Sequence, residues 1–217
     1  MKHNLVKTAD GSYTLYVPEL DEHYHSVHGA LQEAQHVFIQ HGLEPFKASS
    51  SLRVLEMGLG TALNAYLSYQ WARKNNIALW YSGVEAYPVE GEVVAICLQE
   101  IGVKQVQELR FFSELVYGST QELDGFTLEP IHAFWADIDF SEAYDVVFYD
   151  AFGPRAQEEM WTLRNFEIAY NALKKGGLMT TYCAKGQVKR DLKSVGFTVE
   201  SRPGPPGKRE MTVAWKR

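Results

Sequence analysis

The 217-residue sequence predicts an α/β fold built on a mostly parallel sheet with helices on both faces, a C-terminal antiparallel hairpin and a small N-terminal extension. Three observations carry this. From Leu52 onward, short apolar runs alternate with stretches of helical periodicity. The first run, Arg53 to Glu56, leads straight into a Gly58-x-Gly60 turn and a helix. Carboxylates then recur where successive strands should stop, at Glu56, Glu85, Asp137 and Asp150.

Residues 1–48 lack the alternation and form the extension; residues 49–217 form the main domain. Asp10-Gly11 is a turn pair before the alternating Ser12 to Val17, which predicts a hairpin. Val27, Leu31, Ala34, Val37 and Phe38 predict a helix over 27–41. His23, His25 and His28 lie just before it, with no Cys and no His-Glu-x-x-His helix beside them, so they read as a solvated loop and no metal is assigned. Strand 52–56 leads to a helix at 62–74. Strand 80–85 leads to a helix at 89–101 with Pro88 near its first turn. Residues 104–128 read as a helix and loops. A strand over 130–136 ends at Asp137, and strand 145–150 ends at Asp150. A helix from 157 to 174 is stopped by Gly176-Gly177. Strand 178–183, helix 185–195 with Gly196 behind it, and a hairpin of 197–201 with 210–216 complete the chain.

Hydrophobic residues make up 46%, which marks a globular chain with a sizeable core. No apolar run reaches the roughly 18 residues of a membrane span, and the N-terminus has no apolar signal core. Cys97 and Cys183 stand in apolar segments and read as reduced core residues of a cytoplasmic protein. The net charge of −6 divides unevenly. From Lys174 onward there are 11 Lys/Arg and 3 Asp/Glu, a local +8; the preceding residues carry 10 and 24, or −14. This is the pattern of a basic working face, or of terminal charges that merely solvate an edge.

The glycine turn removes side chains where a ligand approaches the backbone, and the following helix offers its positive end. A dinucleotide fingerprint wants a third glycine where Leu63 stands, and a phosphate-binding P-loop wants Gly-Lys-Ser/Thr, which is absent. The remaining pattern, acid-x-Gly-x-Gly from Glu56, resembles motif I of the class I S-adenosylmethionine (SAM) methyltransferases. SAM carries a cationic sulfonium and an amino-acid head, so an acid beside the turn suits it. Glu85 ends the second strand, where a carboxylate can accept from ribose hydroxyls. Asp137 is placed to accept from an adenine amine, and Asp150 borders the crevice where the strand order reverses. After Asp150, Phe152-Gly153-Pro154 makes a rigid loop in which Phe152 can stack on a base, whereas Trp161 reads as core.

Beyond the glycine turn, the chain resembles the methyltransferase domain of MnmC-type tRNA-modifying enzymes from about Tyr24 onward. The resemblance lies in Tyr24-x-Ser26 with Leu31-x-Glu33 and Val37-Phe38; in Glu56-x-Gly58-x-Gly60-Thr61-x-Leu63-Asn64; in Val84-Glu85-x-x-Pro88; in Asp150-x-Phe152-x-Pro154 with Met160-Trp161; and in Gly207-Lys208-Arg209-Glu210-Met211. The family usually has Gly where Ala62 stands and more residues between Phe152 and Met160. Its best-known members fuse an FAD-dependent oxidase after this domain. With the chain ending at Arg217, that chemistry is expected to be absent and methyl transfer to remain.

The resemblance implies a Rossmann-like fold and SAM as cofactor, held by Glu56, Gly58, Gly60, Asn64, Glu85 and Asp137. It implies tRNA as partner through its anticodon stem-loop, with a separate enzyme acting upstream and no membrane. The amine of a 5-aminomethyl wobble uridine is the methyl acceptor. Alkylamines are mostly protonated near neutrality, so Asp150 is placed to orient the ammonium and accept its proton. Phe152, Lys208 and Arg209 fall to the RNA. Two other readings stay open. An aminopropyltransferase of the polyamine-synthase type would share the sheet and the Asp after the fourth strand. A non-catalytic SAM- or tRNA-binding subunit would share the site without turnover.

Overall fold

In the computed structural model, which describes residues 4–8, 11, 13–19, 21–24 and 29–217, both faces of the main sheet are covered. The expected hairpin is a small antiparallel sheet of β1 (Asn4–Lys7), β2 (Tyr13–Val17) and β3 (Glu22–His23). His23 lies on β3, while His25 and His28 fall outside the described residues, as does the start of the helix expected from Val27. That helix begins as α1 (Ala30–Ala34) and runs on as a π-helical stretch, Gln35–Leu43.

The alternation follows: β4 (Ser51–Met57), α2 (Leu63–Asn75), β5 (Ala78–Glu85), α3 (Gly91–Glu100), α4 (Val106–Ser113), β6 (Gln121–Leu123) and β7 (Phe126–His132). Then come β8 (Tyr144–Tyr149), α5 (Leu163–Ala172), β9 (Leu173–Thr181), α6 (Gly186–Val195), β10 (Thr198–Pro203) and β11 (Glu210–Trp215). The sheet order is β10-β11-β9-β8-β4-β5-β7-β6. Strands β9, β8, β4, β5 and β7 are parallel; β11, β10 and β6 are antiparallel additions at the edges.

Period-two side chains feed two cores. Val54, Tyr81, Val146 and Phe148 pack with α2 and the π-helical stretch on one face. Leu55, Met57, Val147 and Tyr149 pack with α5 and α6 on the other. The π-helical stretch lies close against the sheet: Phe38 meets Phe148 at 5.0 Å between ring centroids, and Thr180 Oγ1 donates to the Val37 carbonyl at 3.0 Å.

Several sequence expectations need correction. The strand expected over 130–136 is β7 and stops at His132; Asp137 lies beyond it in a 3₁₀ turn, Trp135–Asp137, and is exposed. The apolar Ala133-Phe134-Trp135 run imitated a strand, but its Trp135 drops into the second core. Asp124-Gly125, both at positive φ, close a two-residue β6–β7 hairpin inside the stretch read as helix and loops. The helix expected over 157–174 divides into a 3₁₀ turn, Glu158–Trp161, and α5, which ends at Ala172. Gly176-Gly177 therefore do not cap it; they lie within β9, near its register shift against β8. A Cβ at Gly177 would come within 2.8 Å of the Asp145 carbonyl. Pro88 precedes α3 and lies outside its first turn, and Glu90 is the N-cap.

Candidate active site

β4 and β8 are neighbours, yet the chain leaves β4 toward β5 and leaves β8 toward β9 on the other side. A crevice opens at the carboxyl ends of such a pair. The glycine turn after β4 is clamped to the next strand, since Gly58 N and Leu59 N both donate to the Val84 carbonyl at 2.9 and 3.2 Å. Gly58 and Gly60 have φ of +87° and +49°. A Cβ at Gly58 would lie 2.9 Å from the Asp150 carbonyl oxygen, and one at Gly60 3.0 Å from the Tyr24 ring. The turn thus needs both glycines to close on its own neighbours, apart from any ligand.

Asn64, in the first turn of α2, ties two acids together. Its Nδ2 donates to Glu56 Oε1 at 2.7 Å and to Asp150 Oδ2 at 2.8 Å. Glu56 is fully buried; burial, reinforced by the Asp150 charge, pushes its pKa well above the carboxylate range. Asp150 opens onto the crevice, but its dense surroundings raise its pKa to about 7, helped by the charge of Glu33 and opposed by the Asn64 hydrogen bond and Lys208. Glu85 accepts from Gly60 N at 2.9 Å and Tyr87 N at 2.8 Å; burial raises its pKa against those backbone donors.

A cavity of about 470 Å³ fills the crevice, in the range of small-molecule sites. Gly58, Gly60, Asn64, Glu85, Asp137, Asp150 and Phe152 all line it. Glu56 stands behind Asn64 and is not in its wall. Next to it, across the Phe152–Arg155 loop, lies an open basin of about 710 Å³ lined by Arg155, Tyr182, Lys185, Lys208, Arg209 and Glu210. Arg209 is exposed there. Lys208, which the sequence assigned to the RNA, pairs with Glu33 and lies 4.2 Å from the Tyr182 ring centroid. Glu210 pairs with Lys189 at 2.8 Å.

Other residues join the site that sequence reasoning gave no role there. Tyr24 lines the cavity and meets Phe152 edge-on at 5.1 Å. Tyr87 and Phe134, both exposed, flank the cavity 6.1 Å apart. Tyr87 was findable, two residues after the strand-ending Glu85; Phe134 was hidden by the misread strand. Among the described residues no three His, Cys, Asp or Glu side chains converge as metal ligands. No helix among them is long and apolar enough to cross a membrane.

The residues present fit SAM. The buried Asn64 Oδ1 has no partner among the described residues and sits beside two carboxylates, an environment for a cationic, donor-rich ligand. Relatives agree with this chemistry. A protein of Cupriavidus necator, "tRNA 5-methylaminomethyl-2-thiouridine biosynthesis bifunctional protein MnmC", is 30% identical over 92% of this chain. The chain covers 32% of that relative, and about a third of the length of the MnmC relatives it matches. The MnmC2 structure from Aquifex aeolicus superposes with a TM-score of 0.82 at 24% identity, over 100% of this chain and 71% of that one, and shares the fold. Spermidine synthase from Thermotoga maritima shares it more distantly, with a TM-score of 0.55 at 14% identity over 99% of this chain and 71% of that one. A family profile described as S-adenosyl-L-methionine-dependent methyltransferase matches residues 107–217, more than half of the chain and including β8 with Asp150 at its end, and it is to this family of SAM-using enzymes that the chain belongs.

Proposed function

We propose that the protein methylates the 5-aminomethyl group of the wobble uridine in tRNA, giving 5-methylaminomethyl-(2-thio)uridine. One observation carries the reading: Asp150, with its pKa raised to about 7, stands in the wall of the cofactor cavity next to a basin with several cations. Such a group is matched to removing a proton near neutral pH. The relatives' part in tRNA 5-methylaminomethyl-2-thiouridine biosynthesis points to the substrate.

When bound, SAM supplies a methyl group already activated on a sulfonium. The protein's own residues bind, align and deprotonate. Gly58, Gly60 and Asn64 receive the amino-acid end, with Glu56 holding Asn64 in place. Glu85 takes the ribose and Asp137 the adenine edge. Asp150 accepts a proton from the substrate ammonium, freeing the lone pair that forms the new N–C bond. Phe152 stacks on the splayed-out base. Arg209 meets anticodon stem-loop phosphates, which fix position while the modified base gives selectivity. A separate enzyme installs the amine beforehand. The reaction belongs in the cytoplasm, where the buried free thiols of Cys97 and Cys183 stay reduced.

The test is mass analysis of wobble nucleosides after hypomodified tRNA meets the purified protein and SAM. A gain of one methyl on the aminomethyl nucleoside is expected. No gain, with turnover of putrescine and decarboxylated SAM instead, would move the protein to the aminopropyltransferases. SAM binding without either turnover would make it a binding subunit.

A further inference from the structure

The geometry points to a binding site for the substrate's alkylammonium group, formed by the Glu33 carboxylate and the Tyr182 ring beside Asp150, which the free protein fills with its own Lys208. It rests on the proposal above that the methyl acceptor is an amine. A lysine ammonium and an aminomethyl ammonium are the same chemical group. Lys208 Nζ pairs with Glu33, which is only 8% exposed, and lies over the Tyr182 ring. Carboxylate and aromatic face together are what a desolvated alkylammonium needs.

The cage adjoins the reacting centre. Tyr182 Oη donates to the Ala151 carbonyl at 2.7 Å, which fixes the ring against the residue following Asp150. Asp150 also senses both charges, Glu33 pushing its pKa up and Lys208 pulling it down. A tie between α1 and the C-terminal hairpin is the plainer role for this ion pair. Yet the hairpin is already joined to the π-helical stretch that continues α1 by His36 Nε2 and the Pro203 carbonyl at 2.8 Å, and to α6 by Lys189 and Glu210. Substrate entry would turn Lys208 out into the basin, where an RNA phosphate can receive it.

The experiment is an NMR titration of 5-aminomethyluridine and of n-butylammonium into wild type, Lys208→Met and Lys208→Met/Glu33→Gln. Emptying the cage should tighten both probes by about tenfold, one charge-assisted contact's worth. Adding Glu33→Gln should cancel that gain. Unchanged SAM affinity in all three proteins establishes that they are folded. Equal probe affinity in the single and double variants, or no gain in Lys208→Met, overturns the inference. If the probes follow the pattern while wild type leaves hypomodified tRNA unmethylated, the cage stands and the tRNA reading falls. If tRNA is methylated and the probes ignore the variants, the reverse holds.

Discussion

Asp150 shows how one residue trades stability for chemistry. Its folded pKa of about 7 lies above the usual 3.8, so the folded state holds a proton that the unfolded chain has lost between those values. Its contribution to stability is complete below about pH 4 and is lost as pH rises through 7. Asp150→Asn is therefore expected to melt above wild type at pH 8, with the gap closing toward pH 4; a gap that does not vary with pH would contradict this. Methyl transfer needs the opposite state, so kcat/KM should rise with pH to a plateau past an apparent pKa of about 7. Asp150→Ala should slow transfer by about two to four orders of magnitude and disturb SAM affinity less, as read by single-turnover rates and calorimetry. The glycines were legible in the sequence, but their reason was not: each faces a protein atom that only the fold brings near. Gly58→Val would thus break the turn as well as any ligand contact. Glu85→Gln is the cleaner probe, and a loss of SAM affinity of about tenfold is expected in calorimetry. Ala62 extends the point. It is buried at φ +58°, a left-handed position that an L side chain rarely adopts and glycine occupies without penalty.

Elements with strong periodicity were legible, and those bent by tertiary contact were not. β4, β5 and β8 read directly as apolar runs ending in acids. Asp137 misled because a tryptophan buried in a 3₁₀ turn resembles a strand residue when only the sequence is in view. The helix within the N-terminal extension was visible, but its π-helical widening was not. That stretch also places Gly42 against the sheet, where an added Cβ would lie 2.7 Å from Phe148 Cε1 and 3.2 Å from Thr180 Cγ2. Gly42→Ala should cost about 1–3 kcal/mol by overpacking. Urea unfolding measures it, and an unchanged midpoint would mean that Phe148 swings aside freely.

Across the whole molecule, the local +8 from Lys174 onward proves less available than its sum implies. Of its 11 Lys/Arg, Lys174, Lys189, Arg202, Lys208, Lys216 and Arg217 are each paired with a carboxylate. Composition cannot show this, because Asp145, Glu142 and Glu33 come from distant parts of the sequence. Among the described residues, Lys185 and Arg209 line the basin with no such partner. Replacing both by Ala should weaken tRNA binding and reduce its log–log salt slope by about 1 to 2. Wild-type slopes in titrations at several salt concentrations would place the RNA face elsewhere. The meeting of Glu33 and Lys208 has one more consequence, for biosynthesis. Residues from near the two termini close on the same crevice, so a nascent chain on the ribosome can build β4, α2 and β5 and yet lack a finished site. The basin wall that Lys208 and Arg209 supply is added only once the β10–β11 hairpin has folded back.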